Sequence, residues 1–458
     1  MTDNLRPTLG RRDLTLMLVG NVIGSGIFLV PASVLRQSGE SVPVSVLVWC
    51  VGGLLSLMGA LSYAELGGMN PRAGGLYAYI REAFGAFPAF LYGWTLFFVI
   101  GSGTVATLAV AAAGQLTHFA ALTGPQRQVI AVALIVVMAA INVRGTRESA
   151  AVQNVTTWLK VLAILVMSGL LLLLGDGGGS AAATAPVAGA PVAGVPVAGV
   201  PAGPAVTVSG VGLAVIAVLW AYEGWQYVTF LAGDAKDPQR TIPFALVAGT
   251  VTLIALYLLS VAGYHAALGT ARMAASERVA GDAVTAVLGA GAGSAVTLAI
   301  VLAMYSAAHA GVTALPRVYF AMARDGVFFR RLSEIHPRFG TPAVAIVSSC
   351  AWAAVLAATG TFEQLLTYVV FIGWIFYGLG AAAVIALRRS RPAAERPFRV
   401  PGYPVTPALF VLAAAVIVGN TILEQPSRSL LGLCVVLLGL PAYAAWTRAA
   451  RRAAPGGT

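Results

Sequence analysis

Charge is what this chain has least of. Only 10% of its 458 residues are Asp, Glu, Lys or Arg, against 58% hydrophobic, and the mean hydropathy is +0.85. Soluble chains of this length carry about 25% charged residues, so a water-facing surface cannot be built from this sequence and a polytopic membrane protein is expected. Cysteine is reduced to Cys50, Cys350 and Cys434, all within apolar runs. They read as small buried hydrophobes, with no disulfide framework or metal site. No Walker sequence, Cys/His cluster or Ser/His/Asp set is visible, which leaves ATP-driven transport and hydrolysis unsupported. The chain is therefore expected to be no enzyme and to need no cofactor and no metal. A cleavable signal peptide is not apparent either, because the first apolar run is too long and lacks a small-residue cleavage site.

Lysine is nearly missing, with Lys160 and Lys236 alone against 26 arginines. Together with abundant Ala and Gly, this points to GC-rich bacterial coding and hence to a bacterial inner membrane. The net charge of +11 raises nucleic acid as a partner, but the placement of the charge excludes it. Apolar stretches near the length of a membrane helix occur twelve times, at roughly 14–35, 43–66, 85–117, 128–143, 154–175, 209–232, 242–268, 284–316, 342–359, 363–387, 405–423 and 427–447. The long third and eighth runs are each one tilted helix or a helix with an interfacial extension. An even count puts both termini on one side, and the loops on that side hold 22 basic residues against 5 on the other, with Lys160 inside a run. By the positive-inside rule the termini are cytoplasmic and the bilayer is the partner.

The runs divide the chain into a tail at 1–13, a first five-helix unit at 14–175, an external loop at 176–208, a second five-helix unit at 209–387, a loop with two further helices at 388–447, and a tail at 448–458. The loop repeats Pro every five residues with Gly between, as in Pro191 to Pro201, which forbids helix or sheet and reads as a flexible spacer. Two cytoplasmic segments are richer. Tyr63 to Tyr77 combines turn formers with Glu65 and Arg72, and Arg317 to Gly326 leaves the membrane on arginines. Each suits a mobile gate or plain interfacial anchoring.

Inside the first run, Asn21-Val22-Ile23-Gly24-Ser25-Gly26-Ile27-Phe28 places two glycines and a serine where helical backbone is weakened, and in hydrocarbon a freed backbone must find partners. A second break is expected in the sixth run, where Glu223 and Gly224 interrupt Leu219-Trp220-Ala221-Tyr222 and Trp225-Gln226. Broken segments at corresponding positions of two halves point to a transport site at mid-depth, and they predict an inverted repeat of runs 1–5 and 6–10 with runs 11 and 12 appended. Glu223 costs at least about 2.5 kcal/mol as a membrane carboxylate. It is a proton carrier, a partner for a substrate ammonium, or a group bonded only to neighbouring backbone. Lys160 is either a functional internal cation or a side chain snorkelling to the cytoplasmic face. Ser306 and His309 share one face of the eighth run; His309 is a proton shuttle or a satisfied packing residue. Trp220 flanks the second break, as packing or as a lid.

These residues resemble amino acid permeases of the amino acid, polyamine and organocation superfamily, and within it bacterial relatives of the L-type amino acid transporters. The likeness is carried by Gly20 to Phe28, Ser62 to Gly85, Lys160, Trp220 to Trp225, Asp237-Pro238-Gln239-Arg240-Thr241-Ile242-Pro243, Ser333 to Pro342, and Arg396 to Pro404, in family order along nearly the whole chain. It implies an all-α membrane protein of twelve transmembrane helices with a LeuT-type five-plus-five inverted repeat and two extra helices. It implies that a substrate carboxylate lies on the N–H groups of Ser25, Gly26 and Ile27 beside Gly24, and that its ammonium meets carbonyls of Ile23, Trp220 and Ala221 or Glu223. Trp220 would act as the gate. Lys160 would bridge the first and eighth helices in the place sodium takes in sodium-coupled relatives, so no sodium is required. The loop from Thr117 to Gln126 lacks the cysteine by which eukaryotic light chains bond a heavy subunit, so no covalent heavy-chain partner is expected. The expected function is secondary transport of neutral amino acids, by exchange or proton-coupled symport. The rivals are a polyamine or cationic amino acid carrier, and a substrate-gated receptor or channel.

Overall fold

Ala- and Leu-rich apolar runs in hydrocarbon can satisfy their backbone only as helices, and helices are what form. The computed structural model describes Leu5 and residues 7–177, 205–359, 362–424 and 426–453. The Pro/Gly/Ala/Val repeat of the expected external loop lies outside the described residues, at 178–204. The first half comprises α1 (Arg11–Val22), α2 (Gly26–Gln37), α3 (Val42–Met69), α4 (Leu76–Phe84), α5 (Ala86–Thr95), α6 (Gly101–Gln115), α7 (Gly124–Arg144) and α8 (Thr146–Leu174). A π turn over Leu96–Ile100 joins α5 to α6. The second half continues with α9 (Val208–Ala221), a 3-10 segment Trp225–Asp234, α10 (Pro238–Ala275), α11 (Val279–Leu288), α12 (Ala290–Ala314), α13 (Pro316–Arg324), α14 (Ala343–Thr359), α15 (Phe362–Ser390), α16 (Val405–Glu424) and α17 (Pro426–Ala453).

Among the described residues, nine helices are long and apolar enough to cross a membrane, and α1 with α2 makes a tenth as one span bent by 48°. The runs at 342–359 and 427–447 fall in α14, which has 17 residues, and in α17. The long third run is a single helical path from α5 through α6, with α4 set apart before Gly85. The eighth run begins inside α11, and the chain turns at Gly289 before α12 starts.

Helix α8 shows how such helices pack. Val155, Leu159, Leu162 and Val166 are exposed, whereas Ser149, Gln153, Thr157, Lys160 and Ser168 are buried. The polar stripe faces protein and the apolar stripe faces outward, the reverse of a soluble amphipathic helix and the arrangement hydrocarbon demands. The cysteines divide the same way: Cys350 is buried, but Cys50 and Cys434 lie on the exposed outer surface, which corrects the expectation that all three are buried. An apolar thiol is as well accommodated by lipid as by protein.

At one end of the bundle the segment before α1 is clipped to the 3-10 segment. The N–H groups of Thr8 and Leu9 donate to Asp234 O at 2.8 and 2.9 Å, and Lys236 N donates to Leu9 O at 2.8 Å. The resulting Leu9–Ala235 pairing is an isolated parallel bridge, and no strand forms among the described residues.

Candidate functional site

The two expected breaks exist and they meet. Helix α1 ends at Val22, Ile23 leaves the helical region at φ −72 and ψ 85, and α2 begins at Gly26 after Ser25. In the sixth run α9 ends at Ala221, and Gly224, with φ at +114, turns the chain into 3-10 geometry from Trp225. That φ is readily adopted only by glycine. The crossing point is Gly26 over Ala221: a β-carbon on Gly26 would lie 2.8 Å from Ala221 Cα and 3.6 Å from the Trp220 ring. Only a residue without a side chain permits this approach.

Two side chains tie the breaks together and a third holds the first break alone. The Tyr257 hydroxyl on α10 is 3.1 Å from both Val22 O and Ala221 O, one carbonyl from each break. Asn21 Nδ2 donates to Gly224 O at 2.8 Å. The Lys160 ammonium donates to Gly20 O and, at 2.8 Å, to Ile23 O. Lys160 is 1% exposed, so it does not snorkel; it neutralises carbonyls that the first break has released. The expected bridge from Lys160 to the eighth run is made by its neighbours instead, Gln153 Nε2 and Thr156 Oγ1 bonding Ser306 Oγ on α12 at 3.1 and 3.0 Å.

Between the breaks lies a cavity of about 80 Å³. Gly24, Ser25, Gly26, Trp220, Ala221 and Glu223 line it, together with Asn21, Gly224, Tyr227, Thr104, Thr107, Leu108 and Ala307. Ile23 and Ile27 do not line it; both are fully buried in the core. The Ile23 carbonyl, expected to meet a ligand ammonium, already accepts from Lys160. Glu223 accepts from the Tyr377 hydroxyl at 2.7 Å, so its partner is a side chain of α15 and not only neighbouring backbone. Ser306 and His309 are buried away from the cavity. His309 Nε2 is 3.0 Å from Ser149 Oγ, which is 2.6 Å from Thr313 Oγ1.

Further along the α8–α12 seam is a buried ion pair. Arg317 Nε donates to Asp234 Oδ2 at 3.0 Å, both side chains being 1% exposed. Thr146 Oγ1 donates to Asp234 Oδ1 at 3.0 Å and accepts from Arg317 Nη2 at 2.8 Å. Arg317 is thus a core residue, which corrects its reading as an interfacial anchor. Glu65 is likewise buried, and its partners are Arg388 at 2.6 Å, Val400 N at 2.7 Å and Arg396 at 3.3 Å. Tyr257, Tyr377, Asn21 and the Asp234–Arg317 pair escaped sequence reasoning. The ion pair alone carried a local signal, an acid and a base each at the end of an apolar run.

A cavity walled by two broken helices, with backbone carbonyls and helix-start N–H groups at its edge and Glu223 as its charged side chain, can hold a small zwitterion. Among the described residues no group of His, Cys, Asp and Glu is placed to hold a metal ion. Comparison with known proteins agrees in character. A family described as amino acid permease matches residues 9–438. The chain is 28% identical over 444 residues to the serine/threonine exchanger SteT of Bacillus subtilis, covering 96% of this chain and 97% of that protein. It is 30% identical over 445 residues to the human cystine/glutamate transporter, covering 94% and 85%. It is 31% identical over 453 residues to the human b(0,+)-type amino acid transporter 1, covering 96% and 88%.

Proposed function

The chain belongs to the amino acid permease family, and from that premise we propose that it exchanges neutral amino acids across a bacterial inner membrane by alternating access. The observation that carries this reading is the crossing of the two breaks at Gly26 and Ala221 around the cavity. In it the substrate carboxylate sits on the N–H groups at the start of α2, from Ser25, Gly26 and Ile27, where no preceding helical turn supplies acceptors and the helix dipole is positive. Gly24 gives the carboxylate room, and the ammonium is held by the Trp220 and Ala221 carbonyls with Glu223 nearby. Trp220, at the cavity wall, is the gate. Lys160, held on Gly20 and Ile23 carbonyls, supplies a fixed cation in place of sodium, and Ser306 and His309 brace the helix that moves past it.

The wider organisation proposed is twelve spans, with α1 to α8 and α9 to α15 forming inverted five-span units at 14–175 and 209–387, two appended spans, and both termini in the cytoplasm. Exchange is supported by the relative named as a serine/threonine exchanger. No covalent heavy chain is included, since residues 117–126 offer no cysteine. Counterflow into proteoliposomes tests the reading: amino acid loaded inside should accelerate uptake of labelled amino acid. If internal amino acid has no effect while an imposed pH gradient drives accumulation, the protein is a proton symporter. A cation-carrying reading has Glu223 in its favour; Glu223→Gln should then abolish uptake of cations and spare neutral substrates. Transport without saturation or stereoselectivity would point to a channel.

A further inference from the structure

Several arginines near the helix ends have an acid of the protein as partner: Arg81 meets Asp325, Arg317 meets Asp234, Arg388 meets Glu65 and Arg391 meets Glu82. Arg330, Arg331 and Arg448 do not. All three are exposed, and none of the ion pairs among the described residues includes them. The acids nearest to the first two in sequence are Asp325, already held by Arg81 and by the Tyr77 hydroxyl at 2.9 Å, and the exposed Glu334.

An aromatic cluster brings these arginines to one corner. The Trp446 ring on α17 stacks on Phe328 at 5.5 Å and meets Phe329 edge-on at 5.1 Å, with Phe90 and Trp94 of α5 at 6.0 and 6.4 Å. Tyr443, about one turn earlier on α17, reaches Phe87 and Phe90 at 5.3 and 5.2 Å. Arg330 and Arg331 directly follow Phe329 and open the 3-10 turn Arg330–Ser333. Arg448 stands just beyond Trp446, and Arg451 and Arg452 continue the same helix. The loop after α13 and the end of α17 thus carry exposed arginines to one rim, on a shelf of rings shared with α5. The shelf is not closed, since Phe329 is 52% exposed and Phe87 39%. Open rings beside cations at the end of a span suit the boundary between headgroups and acyl chains. Guanidinium forks match phosphate oxygens, and basic pockets between spans hold acidic headgroups. A soluble anion would engage the arginines and gain nothing from the rings.

We propose that this corner is a binding site for an anionic phospholipid. Its phosphate lies on Arg330, Arg331 and Arg448, its glycerol and upper acyl chain lie along Phe329, Trp446 and Phe87, and it fastens the last span to the loop after α13. Nothing in this depends on what the central cavity carries. The test titrates dioleoylphosphatidylglycerol into the full-length protein in detergent and reads the melting temperature, with dioleoylphosphatidylcholine and inorganic phosphate as references. Phosphatidylglycerol should stabilise the protein at concentrations where neither reference does. At about fivefold in affinity for each arginine, the triple variant Arg330→Gln, Arg331→Gln, Arg448→Gln should need on the order of a hundredfold more of it. A control triple with the same loss of charge at exposed arginines elsewhere, Arg144→Gln, Arg147→Gln, Arg389→Gln, should titrate like the parent. Phe329→Ala should weaken the response about three- to tenfold. Equal stabilisation by phosphatidylcholine or by inorganic phosphate overturns the proposal, and so does an equal loss in the control triple. Should the triple variant not purify, Arg448→Gln alone gives the reading, at about fivefold; an unchanged titration there removes α17 from the site and overturns the proposal.

Discussion

Replacing Asp234 with Asn keeps the shape of the side chain and removes its charge, leaving Arg317 buried without a counter-ion. The pair is 1% exposed on both sides, so water cannot take over. Breaking such a pair from one side costs about 3–5 kcal/mol. Arg317 would keep Thr313 O at 2.5 Å and Thr146 Oγ1 at 2.8 Å, which sets Asp234→Asn near about 3 kcal/mol. Arg317→Met leaves the carboxylate with the Thr146 hydroxyl, because the Thr8 and Leu9 amides donate to the main-chain carbonyl of Asp234, which sets that change nearer about 5 kcal/mol. At roughly 2–4 °C per kcal/mol, Asp234→Asn should melt about 6–12 °C below the parent in a detergent thermal-shift assay. The double variant Asp234→Asn, Arg317→Met retains neither charge and should recover about 2 kcal/mol or more relative to the sum of the singles. Two singles that melt with the parent and add without coupling would refute the claim that electrostatics fastens α13 to the 3-10 segment.

Three further outcomes follow from the site. Lys160→Ala strips the cation from the Gly20 and Ile23 carbonyls and should reduce counterflow at least about tenfold while expression changes less; unchanged counterflow would return the lysine to a packing role. Tyr257→Phe removes the hydroxyl shared by Val22 O and Ala221 O and should cost about 1–3 kcal/mol of stability, read as a lower melting temperature. Gly26→Ala puts a methyl group 2.8 Å from Ala221 Cα, so the breaks must part and substrate-induced thermal stabilisation should vanish; a retained shift would show that the crossing is not the site.

Local chemistry decides which parts of this arrangement can be read from the chain. Gly24 and Gly26 within one apolar run, and Glu223 beside Gly224 in another, conflict with their surroundings, and both conflicts are breaks in the structure. Lys160 stands out as a lone lysine among apolar residues, although its length equally suited snorkelling, and only the position of Gly20 O and Ile23 O settles between them. Tyr257 and Tyr377 sit in ordinary apolar helices, and their importance comes from carbonyls or carboxylates 36 and 154 residues away, with no local trace. Ile23 and Ile27 enter the site reading through the resemblance and by their backbone groups, and burial of their side chains in the core leaves the N–H and carbonyl groups as what they can offer. Arg317 counted as a loop charge because it ends a run; its burial depends on Asp234, 83 residues earlier.

The first break also bears on how the chain is made. Its freed carbonyls at Gly20, Val22 and Ile23 are satisfied by Lys160 and Tyr257, and Asn21 beside them waits for Gly224. Synthesis at about 5–20 residues per second delivers Lys160 roughly ten seconds or so after the break, and Tyr257 later still. Until then this span is poorly able to reside alone in lipid, where unpaired carbonyls have no water to turn to. The nascent span therefore depends on the insertion machinery or on interfacial water for that interval, and fragments truncated before Lys160 are expected to be the first degraded.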